Sequence, residues 1–286
     1  MSGTLAPGKR RVRIRRHGTP RPSVVVALSV LVLFALIGLA PGLFTGTSPI
    51  ETDPLAALRG PDAEHWFGTD QLGRDVFARV LHGARPSLLL GLGATAFALV
   101  GGTVWGLLSA LGGRAADQVC MRLADIMLSL PELLLALFVV TLLGRGTVDV
   151  MVAVAVAAMP GYARLVRAEA LVVRRSGYVE AAAGLGLRRP VLIVRHVLPN
   201  AIGPLLVLGT VGFGTSLIYA SGLSFLGLGA QPPSPEWGAM LSEGRGFLET
   251  AWWIGVFPGA AVTCAVIAVN VAGRHARTRF AGGIPR

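Results

Sequence analysis

Long apolar stretches alternate with shorter charged ones along this chain, and the apolar stretches have the length of membrane spans. A helix needs about 20 mostly apolar residues to cross about 30 Å of hydrocarbon. No charged residue falls between Pro22 and Ile50, where positions 24–40 are densely apolar. A second uncharged interval runs from Pro86 to Gly113, with 87–110 as its apolar body. Residues 119–143 are apolar except for Arg122 and Asp125 at the start and Glu132 within. Residues 150–163 reach span length when 147–149 and the following turn are included, 201–228 form the body of another uncharged interval, and 251–272 close the series. The pattern predicts six helices that cross a membrane. Ala40 is followed by Pro41, a poor cleavage site, so the first span is expected to be retained rather than removed as a signal peptide.

Composition supports a membrane chain. Of 286 residues, 53% are hydrophobic and only 14% charged, with mean hydropathy +0.65. Soluble domains carry about 25% charged residues, so the polar surface here is too small to wrap a soluble core. Disorder, collagen and a disulfide scaffold are excluded on the same grounds. Cys120 and Cys264 lie in apolar stretches and are expected as buried, reduced thiols. The net charge of +11 raises nucleic acid as a partner, which six spans exclude. Lys9 is the sole lysine, and Gly8-Lys9 is followed by Arg10, so no phosphate-cradling loop is present. Uphill transport would draw on another subunit or an ion gradient. The histidines at 17, 65, 82, 196 and 275 lack ligand spacing, which argues against a metal site.

The positive charge is distributed by side. Net charge runs +7 before the first span, −2 over 41–86, zero over 111–125 and over 144–149, +5 over 164–199, −2 over 230–250 and +4 after Gly273. Short cytoplasmic loops hold the excess of Lys and Arg. The alternation therefore predicts both termini in the cytoplasm.

Two loops are more than connectors. Segment 41–86, expected outside, holds Gly68, Thr69, Asp70, Gly73, Arg74 and Asp75. Its glycines permit turns, and Thr69 and Asp70 suit a helix N-cap before 76–81. Such a segment either meets an extracellular partner or packs as a lid on its own spans. In loop 164–199, residues 178–184 form helix readily, Gly184 and Gly186 break it, and Pro190 opens a second short helix. The resulting apolar knob with a basic rim docks into a partner's groove or lies on anionic lipid.

That loop carries a recognisable pattern. Glu180-Ala181-Ala182, then Gly186, then Leu198-Pro199 resembles the EAA loop of binding-protein-dependent ABC importer permeases. His196 stands where the family often has isoleucine, and the run Arg195 to Asn200 (Arg-His-Val-Leu-Pro-Asn) resembles the peptide branch. Residues 65–76 are similar to the Gly-Thr-Asp-x-x-Gly-Arg-Asp stretch of the C-type permease of dipeptide, oligopeptide and nickel importers. Asp117, Arg122, Asp125 and Pro131, the run Ser224-Phe225-Leu226-Gly227-Leu228-Gly229, Gln231-Pro232-Pro233 and Glu236-Trp237-Gly238 agree with that group. The resemblance covers about residues 24–273. It departs at Gly273-Arg274-His275-Ala276-Arg277, where the family carries an acidic tail.

The resemblance implies an all-α membrane protein with the ABC importer permease fold in an inner membrane. It implies a second homologous permease, two ABC ATPase subunits that hold ATP and Mg, an extracellular solute-binding protein and surrounding membrane lipid. No cofactor and no catalytic residue belong to this chain. Glu180, Ala181, Ala182, Gly186, Leu198 and Pro199 would form the ATPase-coupling element. Gly68, Thr69, Asp70, Gly73, Arg74 and Asp75 would be available to an external partner. Acids within spans are functional candidates, and Glu132 either lines the pathway, meeting a peptide amine or a metal ion, or pairs with a polar group of the partner permease. The expected organisation is a basic cytoplasmic tail (1–23), a six-span permease domain (24–273) and a cytoplasmic tail (274–286). The expected function is import of di- or oligopeptides. The alternatives are a nickel or other small-solute importer and a stand-alone secondary carrier.

Overall fold

The computed structural model describes residues 22–177 and 198–281 and, between those stretches, only 179, 184, 191 and 195. Eight α-helices carry the described fold: α1 (Pro22–Leu39), α2 (Val76–Leu111), α3 (Gly113–Leu128), α4 (Glu132–Leu143), α5 (Thr147–Arg174), α6 (Leu198–Phe225), α7 (Trp237–Gly244) and α8 (Trp253–Ala281). Among the described residues no strand forms beyond an isolated bridge between Thr69 and Asp75. Five helices are long and apolar enough to cross a membrane, and α3 with α4 makes a sixth span if the bent pair is counted as one.

The third expected span is not a single rod. Helices α3 and α4 meet at 98°. Pro131 causes the break, because it lacks an N–H for the preceding turn and holds φ at −55° with ψ at 132°, an extended setting from which α4 restarts. Two other boundaries differ from expectation. The N-cap of α2 is Asp75, whose carboxylate accepts the Ala78 amide at 2.7 Å, in place of Thr69 or Asp70. The helix then runs through Pro86 without ending, giving 36 residues in one element. Helix α5 likewise continues past the apolar stretch to Arg174.

Packing explains the small residues. Large apolar side chains such as Leu33, Leu92, Val104, Phe138, Val256 and Ile267 face outward, while Ala94, Ala98, Ala153, Ala157, Ala163 and Ala170 are buried. That inversion suits a lipid-embedded bundle, in which helices associate through close contact of small residues. Along α2, a Cβ at Gly102 would stand 2.5 Å from the Tyr162 Cβ and one at Gly106 would stand 2.5 Å from the Ala163 carbonyl oxygen of α5. Gly91 faces Phe213 and Leu217 of α6 in the same way. The core therefore lies between α2, α5 and α6, with Leu90, Leu135, Val150, Ala220 and Leu223 at its centre. Helix α8 closes the other side of α6, where Gly214 abuts the Asn270 side chain. Both cysteines are free, but Cys264 is exposed on α8 and Cys120 only half-buried. The outer face of a span is apolar without being buried, which corrects the expectation.

Candidate functional site

One end of the bundle is covered by a cap built from the segment between α1 and α2 and the segment between α6 and α8. Gly68 and Gly73 take φ of 70° and 74°, a left-handed setting that other residues adopt at a cost. They frame a turn in which the Gly73 amide donates to the Asp70 carbonyl (3.0 Å) and the Asp70 amide to the Arg74 carbonyl (3.0 Å). A side chain at Gly73 would collide with the Asp53 carbonyl oxygen. Thr69 is tied to the Ala56 carbonyl through its hydroxyl, and its own carbonyl accepts the Trp253 indole N–H at 2.9 Å.

The turn delivers charge into the cap's interior. Asp70 Oδ1 accepts the amides of Leu72 and Arg74 at 2.9 and 3.0 Å, while Oδ2 meets Arg74 Nε at 2.6 Å. Arg74 continues to Glu243 Oε2 of α7 at 2.7 Å, and Arg79 of α2 reaches the same oxygen at 3.1 Å. Asp70, Arg74 and Arg79 are 1–2% exposed and Glu243 13%. Two cations and two anions balance, so each buried charge has an opposite neighbour.

Helix α7 is fastened from the other side. Glu236 caps it, accepting the Gly238 and Ala239 amides at 2.9 Å each. Burial pushes the Glu236 carboxyl above the usual range, opposed by those two amides. The Trp237 indole donates to the Val80 carbonyl at 2.9 Å, and its backbone amide donates to Ser87 Oγ at 3.0 Å. Gly83 leaves room for the Pro235 carbonyl, and Gly238 for the Ser221 carbonyl. Around the rim, Trp66, Phe67, Phe77, Trp252 and Phe257 form a connected aromatic band, with Phe67 stacked on Phe257 at 3.8 Å.

Gly68, Thr69, Asp70, Gly73, Arg74 and Asp75 are thus brought together, and all six are buried in the chain's own cap. Side chains that do face outward there are Leu55, Trp66 and Leu72. The geometry matches the packed-lid alternative for this segment. Sequence reasoning missed Arg79, Trp237 as an anchor, and Glu243. Only Glu236-Trp237-Gly238 had a local signal, an acid ahead of a small-residue helix start.

At the opposite end, α3 lies against α5. Arg167 donates to both carboxylate oxygens of Asp117, at 2.5 and 2.7 Å, and Arg164 pairs with Asp125. Arg174 Nη1 donates to the Ala110 carbonyl at 3.2 Å, joining the ends of α5 and α2.

Glu132 opens α4 at the bend. Its carboxylate has no ion pair or hydrogen bond among the described residues. Glu180, Ala181, Ala182 and Gly186 lie outside the described residues; Leu198 and Pro199 are the first two residues of α6.

Residues 102–282 match the family described as binding-protein-dependent transport system inner membrane component. The chain is 42% identical over 249 residues to the dipeptide transport system permease protein DppC of Alkalihalophilus pseudofirmus, covering 87% of this chain and 82% of that one. It is 42% identical to the probable D,D-dipeptide transport system permease protein DdpC of Escherichia coli (90% and 85% covered) and 39% identical to the glutathione transport system permease protein GsiD of Pectobacterium atrosepticum (91% and 86%). An inward-facing structure of the MetNI methionine ABC transporter superposes with a TM-score of 0.57 over 71% of this chain and 96% of that one, at 19% identity. The family match over residues 102–282 and the 39–42% identity over 87–91% of the chain place it in the binding-protein-dependent ABC importer permease family, as a multi-pass membrane component.

Proposed function

We propose that this chain is the permease subunit of an ATP-driven importer of di- or oligopeptides. The observation that carries this reading is the 39–42% identity, over 87–91% of the chain, to permeases named for dipeptide and glutathione transport. In this reading the chain pairs with a second homologous permease, two ATPase subunits lie beneath it, and a solute-binding protein delivers peptide from outside. The cap end faces outward and both termini face the cytoplasm, because the arginine-rich segments then gather inside. The aromatic band at the cap's rim suits a membrane interface, which favours such rings.

Glu180, Ala181, Ala182, Gly186, Leu198 and Pro199 form the element that enters the ATPase groove. The salt bridges from α3 to Arg164 and Arg167 fasten α3 to the same helix that leads into this element, so movement of the loop is transmitted to the broken span. Closure of the ATPases on ATP then rocks α3 and α4 between inward-open and outward-open arrangements. ATP and Mg bind the ATPases and not this chain.

The test is growth of an amino-acid auxotroph on a dipeptide as sole source of the required residue. Deletion of this chain is expected to abolish growth on the dipeptide and spare growth on the free amino acid. Equal growth with and without the chain, in a strain lacking other peptide permeases, overturns the peptide assignment. Separately, Glu180→Arg or Gly186→Pro is expected to lower recovery of the ATPase subunits on co-purification; undiminished recovery and uptake overturn the docking role.

A further inference from the structure

Helix α3 lies across the bundle rather than along it. Helix α4 shares one apolar cluster with α5, in which Leu135, Ala136 and Val140 join Val150, Ala153, Val154 and Ala157, and α3 turns away from α4 by 98°. The ion pairs to α5 agree with that turn. Asp117 and Asp125 stand eight residues apart on α3, about 12 Å along its axis. Their partners, Arg167 and Arg164, stand three residues apart on α5, about 4.5 Å along that axis.

The neighbouring helices fix the depth at which α3 runs. The exposed large apolar side chains of α2 begin at Leu89 and end at Leu108, about 29 Å apart along the helix, which matches a hydrocarbon layer of about 30 Å. Ser109, the next residue, donates to Asp117 Oδ1 at 2.5 Å. Helix α5 starts at the cap end, where the Gly146 amide donates to the Leu228 carbonyl. Arg164 and Arg167 lie about 26 and 30 Å along it from Thr147. Both measures set α3 at the hydrocarbon boundary on the side away from the cap.

The outward surface of α3 is divided in two. Val119, Leu123 and Ile126, four and three residues apart, form an exposed apolar strip. Arg114, Gln118 and Arg122, each four residues on, form an exposed polar strip beside it. The helix carries four charged side chains. Its two acids are taken up by α5, since Asp117 receives Arg167 on both oxygens and Asp125 pairs with Arg164. Its two arginines make no ion pair or hydrogen bond among the described residues. A helix sunk in hydrocarbon does not leave two guanidinium groups unpaired, and one surrounded by water does not present such an apolar strip. A helix lying in the interface accommodates both, with its apolar strip in the acyl boundary and its arginines at the headgroups.

We propose that α3 lies in the membrane interface away from the cap, where Arg114 and Arg122 bind the phosphates of anionic phospholipid and Val119, Leu123 and Ile126 sit at the edge of the acyl chains. Guanidinium groups suit that role, because their planar fork meets phosphate oxygens in pairs. The inference rests on the placement of the chain in a membrane and not on which solute it carries. Lipid holds α3 from one side while Arg164 and Arg167 hold it from the other.

The experiment is native mass spectrometry of the complete detergent-purified transporter, titrated with phosphatidylglycerol or with phosphatidylcholine of the same chain length. The proteins compared are the wild type, Arg122→Gln, Arg122→Lys and the double variant Arg114→Gln with Arg122→Gln. The wild type is expected to bind phosphatidylglycerol more tightly than phosphatidylcholine. Each arginine lost is expected to weaken phosphatidylglycerol binding about fivefold, with phosphatidylcholine binding unchanged and Arg122→Lys keeping most of the affinity. Recovery of the second permease and the ATPase subunits is expected to stay at the wild-type level. Equal wild-type affinity for the two lipids, or phosphatidylglycerol affinity unchanged in the double variant, overturns the proposal. Loss of the second permease from the double variant also overturns it, and assigns this face to the partner permease instead.

Discussion

The guanidinium of Arg74 meets the carboxylate of Glu243 at 2.7 Å across 169 residues of sequence. This pair joins the segment before α2 to helix α7, and with Asp70 and Arg79 it makes the inside of the cap ionic rather than apolar. Removing one member strands a buried charge. Arg74→Ala is expected to destabilise the cap by about 3–5 kcal/mol, seen as a lowered thermal midpoint of the detergent-purified protein. Arg74→Lys is expected to rescue little, because a point charge does not reproduce the planar fork that serves Asp70 and Glu243 together. The double variant Arg74→Ala with Glu243→Ala is expected to lose less than the two singles combined.

Close approach is a second determinant of the cap. A Cβ at Gly83 would run into the Pro235 carbonyl, and beside it stands the Trp237 ring. Gly83→Ala is expected to cost about 1–3 kcal/mol. Gly46→Ala, where no atom lies within 4 Å of the added Cβ, is expected to be neutral. Equal thermal midpoints for the two variants would contradict the packing described.

The α3–α5 link is exposed enough for solvent to screen it. Asp117 and Arg167 keep 30% and 31% of their side-chain surface. Arg167→Ala is expected to lower stability by only about 1 kcal/mol, yet to reduce transport more strongly if α3 is moved through this link. Exchanging the two charges, Asp117→Arg with Arg167→Asp, is expected to recover part of the rate. Uptake assays on variants matched for expression decide it.

The pH response of the cap follows from Glu236. Its carboxyl is raised from an ordinary value of 4.5, chiefly by burial. The folded state therefore holds this proton more tightly than the unfolded chain, and stability falls as pH rises from 4.5 through the raised folded value. A stability profile across that window is expected to slope downward for the wild type relative to Glu236→Gln, whose amide does not titrate. Parallel profiles would show that Glu236 does not contribute.

Helix positions were legible in the sequence because charge-free intervals of span length have few alternatives in a chain this apolar. Gly91, Gly102 and Gly106 lie in such an apolar run, where small residues serve close helix packing. The bend at Pro131 was less visible, as the apolar run continues on both sides and periodicity does not report direction. The cap was hidden for another reason. Arg74 and Arg79 look like solvated loop charges until Glu243 is brought to them by folding, and no local pattern encodes a partner so distant. Glu132 is conspicuous in the sequence because a carboxylate inside an apolar stretch conflicts with its solvent.

The most direct measurement of the central claim is solute accumulation in proteoliposomes holding this chain with its second permease, ATPases and binding protein. Dipeptide uptake is expected only with ATP, only with binding protein on the cap side, and not with this chain alone. Accumulation by the isolated chain without ATP would contradict the importer assignment and establish a self-sufficient carrier.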